Sequence, residues 1–436
     1  MISNLAVYFS CPGKGFDKFF NPIFSYSIFH SVVFYCVPMI QSIYGYGRFD
    51  SVYLTLKSDS LFYAITISFV YHMIIVFFLA ILKPAFNISD LSFSRIYFDR
   101  KSKYGFCFLF FLSMVGVLGC VSIIYQNIGN YAAFMYDRIN ILSGNGGYLM
   151  LLKLLFPVAI YLYLLNMKFN NKFVKFSLVC IVLIIFGVNL FLGSRTSAVF
   201  IFIYFFIVSF LVSDRAKKVK LLYLGTAGLI MLFGFMTLLG AVRDAVKTDG
   251  LALSTNSFES FSRHNSEPKI VETLRVNYGQ GELLAFLIDK TDLNNYALGA
   301  TFAAGFLSFI PRSLWVEKPT GGGPLLTNTI SPGAYTLGGN EGNTSYTTGF
   351  IVEAYLNLGL LGVVLISIVH FFMLLWLCYY SRKVSNPLSL MVYMFSYISI
   401  VIGFTTGEFL GVFMTFIVTV MPIYLFNKIR WFKFLS

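Results

Sequence analysis

Long apolar runs broken by short polar connections repeat along the whole chain. Approximate spans fall at 24–43, 60–82, 105–126, 148–166, 176–193, 196–212, 221–240, 348–378, 388–406 and 408–427. A spanning helix needs about 20 apolar residues, because a hydrocarbon layer about 30 Å thick admits no unpaired backbone groups. The pattern predicts an all-α polytopic membrane protein with about 10 transmembrane helices. The eighth run is long enough to tilt or to project beyond the bilayer. Three regions follow: an N-terminal seven-helix membrane region over 1–240, a large polar loop over 241–347, and a C-terminal three-helix membrane region over 348–436. An irregular loop of that length is unusual, so helices are expected inside it. Residues 268–290 read as one or two helices, and 297–311 as a short interfacial or re-entrant helix.

Composition and charge sharpen this picture. The chain is 57% hydrophobic and 12% charged, where soluble domains have about 45–50% apolar and about 25% charged residues. That excludes a water-soluble fold. The net charge of +13 is no nucleic-acid signal, because the basic residues sit in short clusters between apolar runs. One set of connections receives Lys14 and Lys18, then Lys83, Arg95, Arg100, Lys101 and Lys103, then Lys168, Lys172 and Lys175. The same set receives Arg215, Lys217, Lys218 and Lys220, then Arg382 and Lys383, then Lys428, Arg430 and Lys433. The short connections of the other set hold Arg48, Lys57, Arg138 and Arg195. The positive-inside rule therefore puts both termini in the cytoplasm and the loop 241–347 on the opposite face. That loop has eight basic and ten acidic residues, unlike the cytoplasmic connections. A crossing by 297–311 would move Arg382 and Lys428 outside, so this segment is expected to dip without crossing. No small-residue cleavage site follows the first run, so it is expected to be retained. The six cysteines have no disulfide or metal spacing and read as small buried side chains. The sequence holds no internal repeat, Walker loop, His-Glu-x-x-His or nucleophile elbow, so ATP-driven transport and zinc or serine hydrolysis get no support.

The candidate chemistry gathers at the outer boundary. In FLGSRTSAVF, Arg195 stands between two spans with almost no loop; it either faces a polar cavity or snorkels to lipid headgroups. Arg243 and Asp244 follow the seventh span as a ligand contact or a helix-end anchor. In IPRSLWVEKPTGGG, residues 310–323, Arg312 and Lys318 sit beside prolines that stiffen the backbone, with Trp315 between them. An aromatic face suits a sugar ring or the membrane interface, and Gly321, Gly322 and Gly323 permit a tight turn, a close approach or a mobile linker. Cations converging there point to a phosphorylated lipid, since the Arg fork grips phosphate oxygens in pairs. Glu353 and Asn357 share one helix face. A shielded Glu353 could take a proton from a hydroxyl, or pair structurally with an arginine. Glu341 and Glu408 are secondary candidates. His264 lies in the large loop; His30, His72 and His370 lie in helices and read as satisfied by neighbours, and no metal cluster or cofactor motif appears.

The order of these features resembles a known family. A GSR turn at 193–197, a large external loop carrying IPRSLW-x-EKP within 310–323, and IVEAYLNLGLLG within 349–362 are together similar to the bacterial oligosaccharide repeat-unit polymerases (Wzy, O-antigen polymerases). The resemblance implies a GT-C-like glycosyltransferase of lipopolysaccharide biosynthesis, multi-pass in the bacterial inner membrane, with its active site facing the periplasm. It implies undecaprenyl-diphosphate-linked oligosaccharides as donor and acceptor, no metal or cofactor, and a flippase and chain-length regulator as pathway partners. On the matching positions, Arg195 and Arg312, with Arg243 and Lys318, would hold the diphosphate. Glu353 would be the base or positioning carboxylate, and Trp315, Asn357 and Gly321–Gly323 would meet substrate. The O-antigen ligase, with the same layout and a different acceptor, and a lipid-linked oligosaccharide flippase are the alternatives.

Overall fold

The computed structural model describes residues 21–44, 58–82, 96–130, 146–192, 195–213, 278–290, 296–310, 317–330 and 346–428, with isolated positions between them. All regular structure among these residues is helical. In chain order the helices are α1 (Pro22–Ser31), α2 (Val37–Tyr44), α3 (Ser58–Ile81), α4 (Arg100–Asn127), α5 (Gly146–Leu152), α6 (Leu155–Phe169), α7 (Lys172–Phe191) and α8 (Arg195–Val212). They continue with α9 (Gln280–Lys290), α10 (Ala300–Phe306), α11 (Gly322–Ile330), α12 (Gly349–Ser381), α13 (Pro387–Tyr397), α14 (Phe404–Thr406) and α15 (Phe409–Lys428). A π-turn at Val32–Cys36 joins α1 to α2, and another at Ile398–Gly403 joins α13 to α14.

Eight of the predicted spans coincide with helices long and apolar enough to cross a membrane. The span predicted at 196–212 falls on α8, of 18 residues, and the one at 221–240 lies outside the described residues apart from isolated positions. The outward faces are apolar: Phe62, Phe111, Leu118 and Leu183 are each more than 60% exposed. Faces of that kind suit an apolar surrounding such as lipid. The core lies around the Pro387–Thr406 span, which is 89% buried, whereas the spans of α7 and α4 are each 28% buried.

Local chemistry sets the helix ends. Asn21 caps α1 by accepting from the Ile23 amide at 3.1 Å, with Pro22 following. Asp99 caps α4 through the Ser102 amide at 2.8 Å. Asn170, at φ 46°, ends α6 in the left-handed region, and Asn171 caps α7. Asn386 and Ser389 form a capping box at α13.

Two features shape the end of the bundle where α12 and α15 begin. The 33-residue α12 is not continuous: it breaks at Leu358 and Gly359, where Gly359 adopts φ 58° and ψ −140°. The carbonyls released there are taken by the amides of Ala297 and Leu298, which donate to Leu356 and Asn357 oxygens at 3.0 Å each. A Cβ on Gly359 would lie 2.6 Å from the Tyr296 hydroxyl. The length read as allowing a tilted or projecting eighth span belongs to a helix with a break in it. The second feature is α10, which continues as a 3₁₀ turn over Leu307–Phe309. Ten residues at about 1.5 Å each reach about 15 Å, half of what a crossing requires.

The segment 268–290, read as helix within a polar loop, contributes α9, and the part before residue 278 lies outside the described residues. α9 is a core element: Leu283, Leu284, Ala285, Phe286 and Leu287 are at most 2% exposed, against α3, α12 and the first π-turn. Its apolar run packs against helices of the bundle.

Candidate functional site

Four short polar segments converge where α12 and α15 start. Glu353 lies in the second turn of α12 and is fully buried. Its Oε2 accepts from the Phe409 amide at 2.7 Å and the Thr348 hydroxyl at 3.2 Å. The carboxylate thus caps α15, whose first amides have no partner within their own helix. Its Oε1 has no hydrogen-bond partner, and the Thr301 side chain also faces this carboxyl.

Asn357, one turn further, is fully buried as well. Its amide nitrogen donates to Thr301 Oγ1 and to the Glu353 carbonyl, both at 2.7 Å, while its Oδ1 has no partner. Two orphaned acceptor oxygens therefore sit on one face of the short helix segment ahead of the α12 break.

The glycine run closes over these groups. A Cβ on Gly322 would lie 2.7 Å from Glu353 Cδ, so only a residue without a side chain fits against the carboxyl. The Gly323 amide donates to Glu408 Oε2 at 2.8 Å, and a Cβ on Gly321 would come within 3.1 Å of the same oxygen. Glu408 thus caps α11 as Glu353 caps α15. Burial raises the Glu408 carboxyl above its ordinary range, opposed by the Gly323 N–H. Around the pair, Gln280 at the start of α9 donates to the Thr406 carbonyl at 3.2 Å, and Thr327 binds the Tyr346 amide at 3.1 Å.

The residues singled out in the sequence divide into those brought together and those not described. Glu353, Asn357, Gly321, Gly322 and Gly323 form one contact cluster. The Lys318 amine donates to the carbonyls of Ile310 at 2.8 Å and Ser308 at 3.5 Å, so it caps the end of α10 and its 3₁₀ turn. Trp315 is 40% exposed. Arg195 is the first residue of α8, but its side chain lies outside the described residues, as do Arg243, Arg312, Glu341 and His264. Among the described residues no group of three or more His, Cys, Asp or Glu could hold a metal ion.

Sequence reasoning ranks Glu408 below Glu353 and overlooks Gln280, Thr301 and Thr348. The polar break TTGEFLG between two spans is the available signal for Glu408. Nothing in the sequence pairs Thr301 with Asn357 across 56 residues.

One carboxylate with an anchored oxygen and a free one, next to a second carboxyl, has the geometry of a positioned proton acceptor. The glycine segment packs against this carboxyl, which is fully buried. Comparison with protein-family models, curated proteins and solved structures finds no match for this chain.

Proposed function

We propose that this membrane protein is an O-antigen polymerase, a GT-C-like glycosyltransferase joining undecaprenyl-diphosphate-linked oligosaccharide repeat units. In this reading it sits in the bacterial inner membrane with both termini cytoplasmic and its site facing the periplasm. The observation that carries the reading is the packing of Gly322 onto Glu353. Two separate stretches that carry the family resemblance, 310–323 and 349–362, meet in one polar cluster at a bundle end.

The reaction follows from that arrangement. The acceptor sugar of a new lipid-linked repeat presents a hydroxyl to Glu353 Oε1, which takes its proton as the oxygen attacks the donor's anomeric carbon. The bond from that carbon to the diphosphate breaks, and the leaving diphosphate keeps the electron pair. Arg195 and Arg312, with Arg243, neutralise the charge that develops on it, and Lys318 assists from the end of the dipping helix. Asn357 and the glycine backbone hydrogen-bond sugar hydroxyls, and Trp315 stacks on a ring.

Deleting the gene in its host and separating the lipopolysaccharide on a gel tests this. The expected result is collapse of the long-chain ladder to lipid A-core bearing one repeat; an unchanged ladder opposes the reading. Loss of every O-antigen band, including the single repeat, would instead indicate the ligase. One observation favours a second reading, a lipid-linked oligosaccharide flippase: the interrupted α12, since transporters build their sites on broken helices. In a flippase deletion, lipid-linked repeats accumulate on the cytoplasmic face.

A further inference from the structure

Three of the chain's four histidines meet inside the helix bundle, away from the carboxylate cluster. His30 comes from α1, His72 from α3 and His370 from α12, and each is at most 1% exposed. The rings of His30 and His72 are stacked, with centroids 5.3 Å apart and planes 11° from parallel. Their Nε2 atoms make reciprocal contacts: His30 with Ser68 Oγ of α3, and His72 with Ser27 Oγ of α1, each at 3.1 Å.

His370 completes the group. Its Nε2 lies 2.8 Å from the Ile400 carbonyl, which can only accept, so that nitrogen carries the proton. Its Nδ1 then accepts from the Tyr71 hydroxyl at 2.5 Å. Tyr26 sits among all three rings, with centroids 5.5 Å from His30, 5.9 Å from His72 and 4.8 Å from His370.

Helix adhesion by Ser–His hydrogen bonds accounts for part of this arrangement. It leaves three atoms unexplained: His30 Nδ1, His72 Nδ1 and the Tyr26 hydroxyl are buried without a hydrogen-bond partner. Leaving such a group unmade is destabilising, so an apolar filling would make the better clasp. Both π-turns also border the cluster: one starts two residues after His30, and the other supplies the Ile400 carbonyl. π-Turns inside helices are frequent at functional sites.

We propose that this cluster is a proton-binding site inside the membrane domain, where the stacked His30–His72 pair takes up one proton and shares it with the hydroxyls around it. A neutral imidazole offers one donor and one acceptor, and a protonated one offers two donors. Serine and tyrosine hydroxyls rotate, so Ser27 and Ser68 donate to a bare Nε2 and accept from a protonated one without moving a helix. The unpartnered Tyr26 oxygen supplies a further acceptor. The ionisable groups that neighbouring elements bring are Tyr35 after α1, Tyr71 on α3, Tyr397 at the end of α13, and the buried Glu282 on α9, which packs against α3. The site takes a proton rather than a metal ion, since no metal-holding group occurs among the described residues.

The test is a pH titration of ¹⁵N-histidine resonances in the full chain in lipid nanodiscs. A His264→Asn variant removes the signal of the one other histidine. The expected result is that a cluster imidazole takes up a proton as the pH is lowered within the range where the protein stays folded, read as a shift of its ring ¹⁵N signals to their protonated values. In the Ser27→Ala, Ser68→Ala double variant the midpoint should move by about one pH unit, the equivalent of one altered hydrogen bond. Cluster signals that stay in one protonation state throughout, or titration confined to His264, would overturn the proposal. A midpoint unmoved in the double variant would overturn the sharing with hydroxyls. The wild-type titration needs no substitution within the cluster, so it decides proton uptake even where a variant fails to fold.

Discussion

At the scale of single residues, one substitution separates the capping role of Glu353 from the proton transfer proposed for it. Glu353→Gln keeps an oxygen for the Phe409 amide, now bonded at 2.7 Å, yet cannot take a proton. The variant should accumulate in the membrane with near-wild-type thermal stability while chain extension falls by about 10²–10⁴-fold. Glu353→Ala should also lose stability, because it leaves the first amide of α15 unpaired, at about 1–3 kcal/mol. An active Gln variant would remove Glu353 from the chemistry. Glu408 gives a pH prediction with a definite sign. Its folded-state carboxyl is raised by burial, so the stability linked to its neutral form is complete below the ordinary carboxylate range and is lost as pH rises through the folded value. Glu408→Gln keeps an acceptor for Gly323 and stays neutral. Its melting temperature should exceed wild type at pH 7, with the difference vanishing near pH 4; a gap that is constant with pH refutes the assignment.

At the scale of elements, the break in α12 and the glycine run shape the surroundings of Glu353. Gly359→Ala forces a left-handed φ on a residue with a side chain and drives its Cβ to 2.6 Å from the Tyr296 hydroxyl. Detergent-solubilised protein should lose thermal stability, and limited proteolysis should cut more readily around 296–300. Gly322→Ala meets the Glu353 side chain at 2.7 Å and should impair chain extension more than stability, because a short helix start can shift where a packed span cannot. Equal losses in both assays would show that the glycine run only fills space. These elements are unevenly legible in the sequence. The short helix α10 follows from the apolar run at 297–311. The break does not, because Leu358 and Gly359 follow Asn357 with no proline or loop to mark a stop, and the amides of Ala297 and Leu298 that meet the freed carbonyls lie far away in sequence.

At the scale of the whole molecule, topology and the anion-holding role belong together. A cysteine at Ser254 in the large loop, in a background without the six native cysteines, should react with a membrane-impermeant thiol reagent on intact cells, and one at Ser436 should not. The reverse pattern would place the carboxylate cluster on the cytoplasmic face and end the polymerase reading. Arg195→Ala and Arg312→Ala should each abolish long chains while the protein stays in the membrane. Full-length chains from both variants, or from Lys at both positions, would refute diphosphate binding by these residues.

The sequence by itself determined the class of protein and most of its spans, because the bilayer imposes one dominant requirement, about 20 apolar residues per crossing, that is read locally along the chain. It also singled out Glu353, Asn357 and the glycine run as polar groups in an apolar setting. Only the tertiary structure decided that Gly322 packs on Glu353, that Glu408 caps the helix this glycine begins, and that three histidines read as separate helix residues share one cluster. Those pairings join positions up to 340 residues apart, as between His30 and His370. Packing between helices fixes such contacts, and no periodicity within a single helix encodes which of its faces will meet which partner.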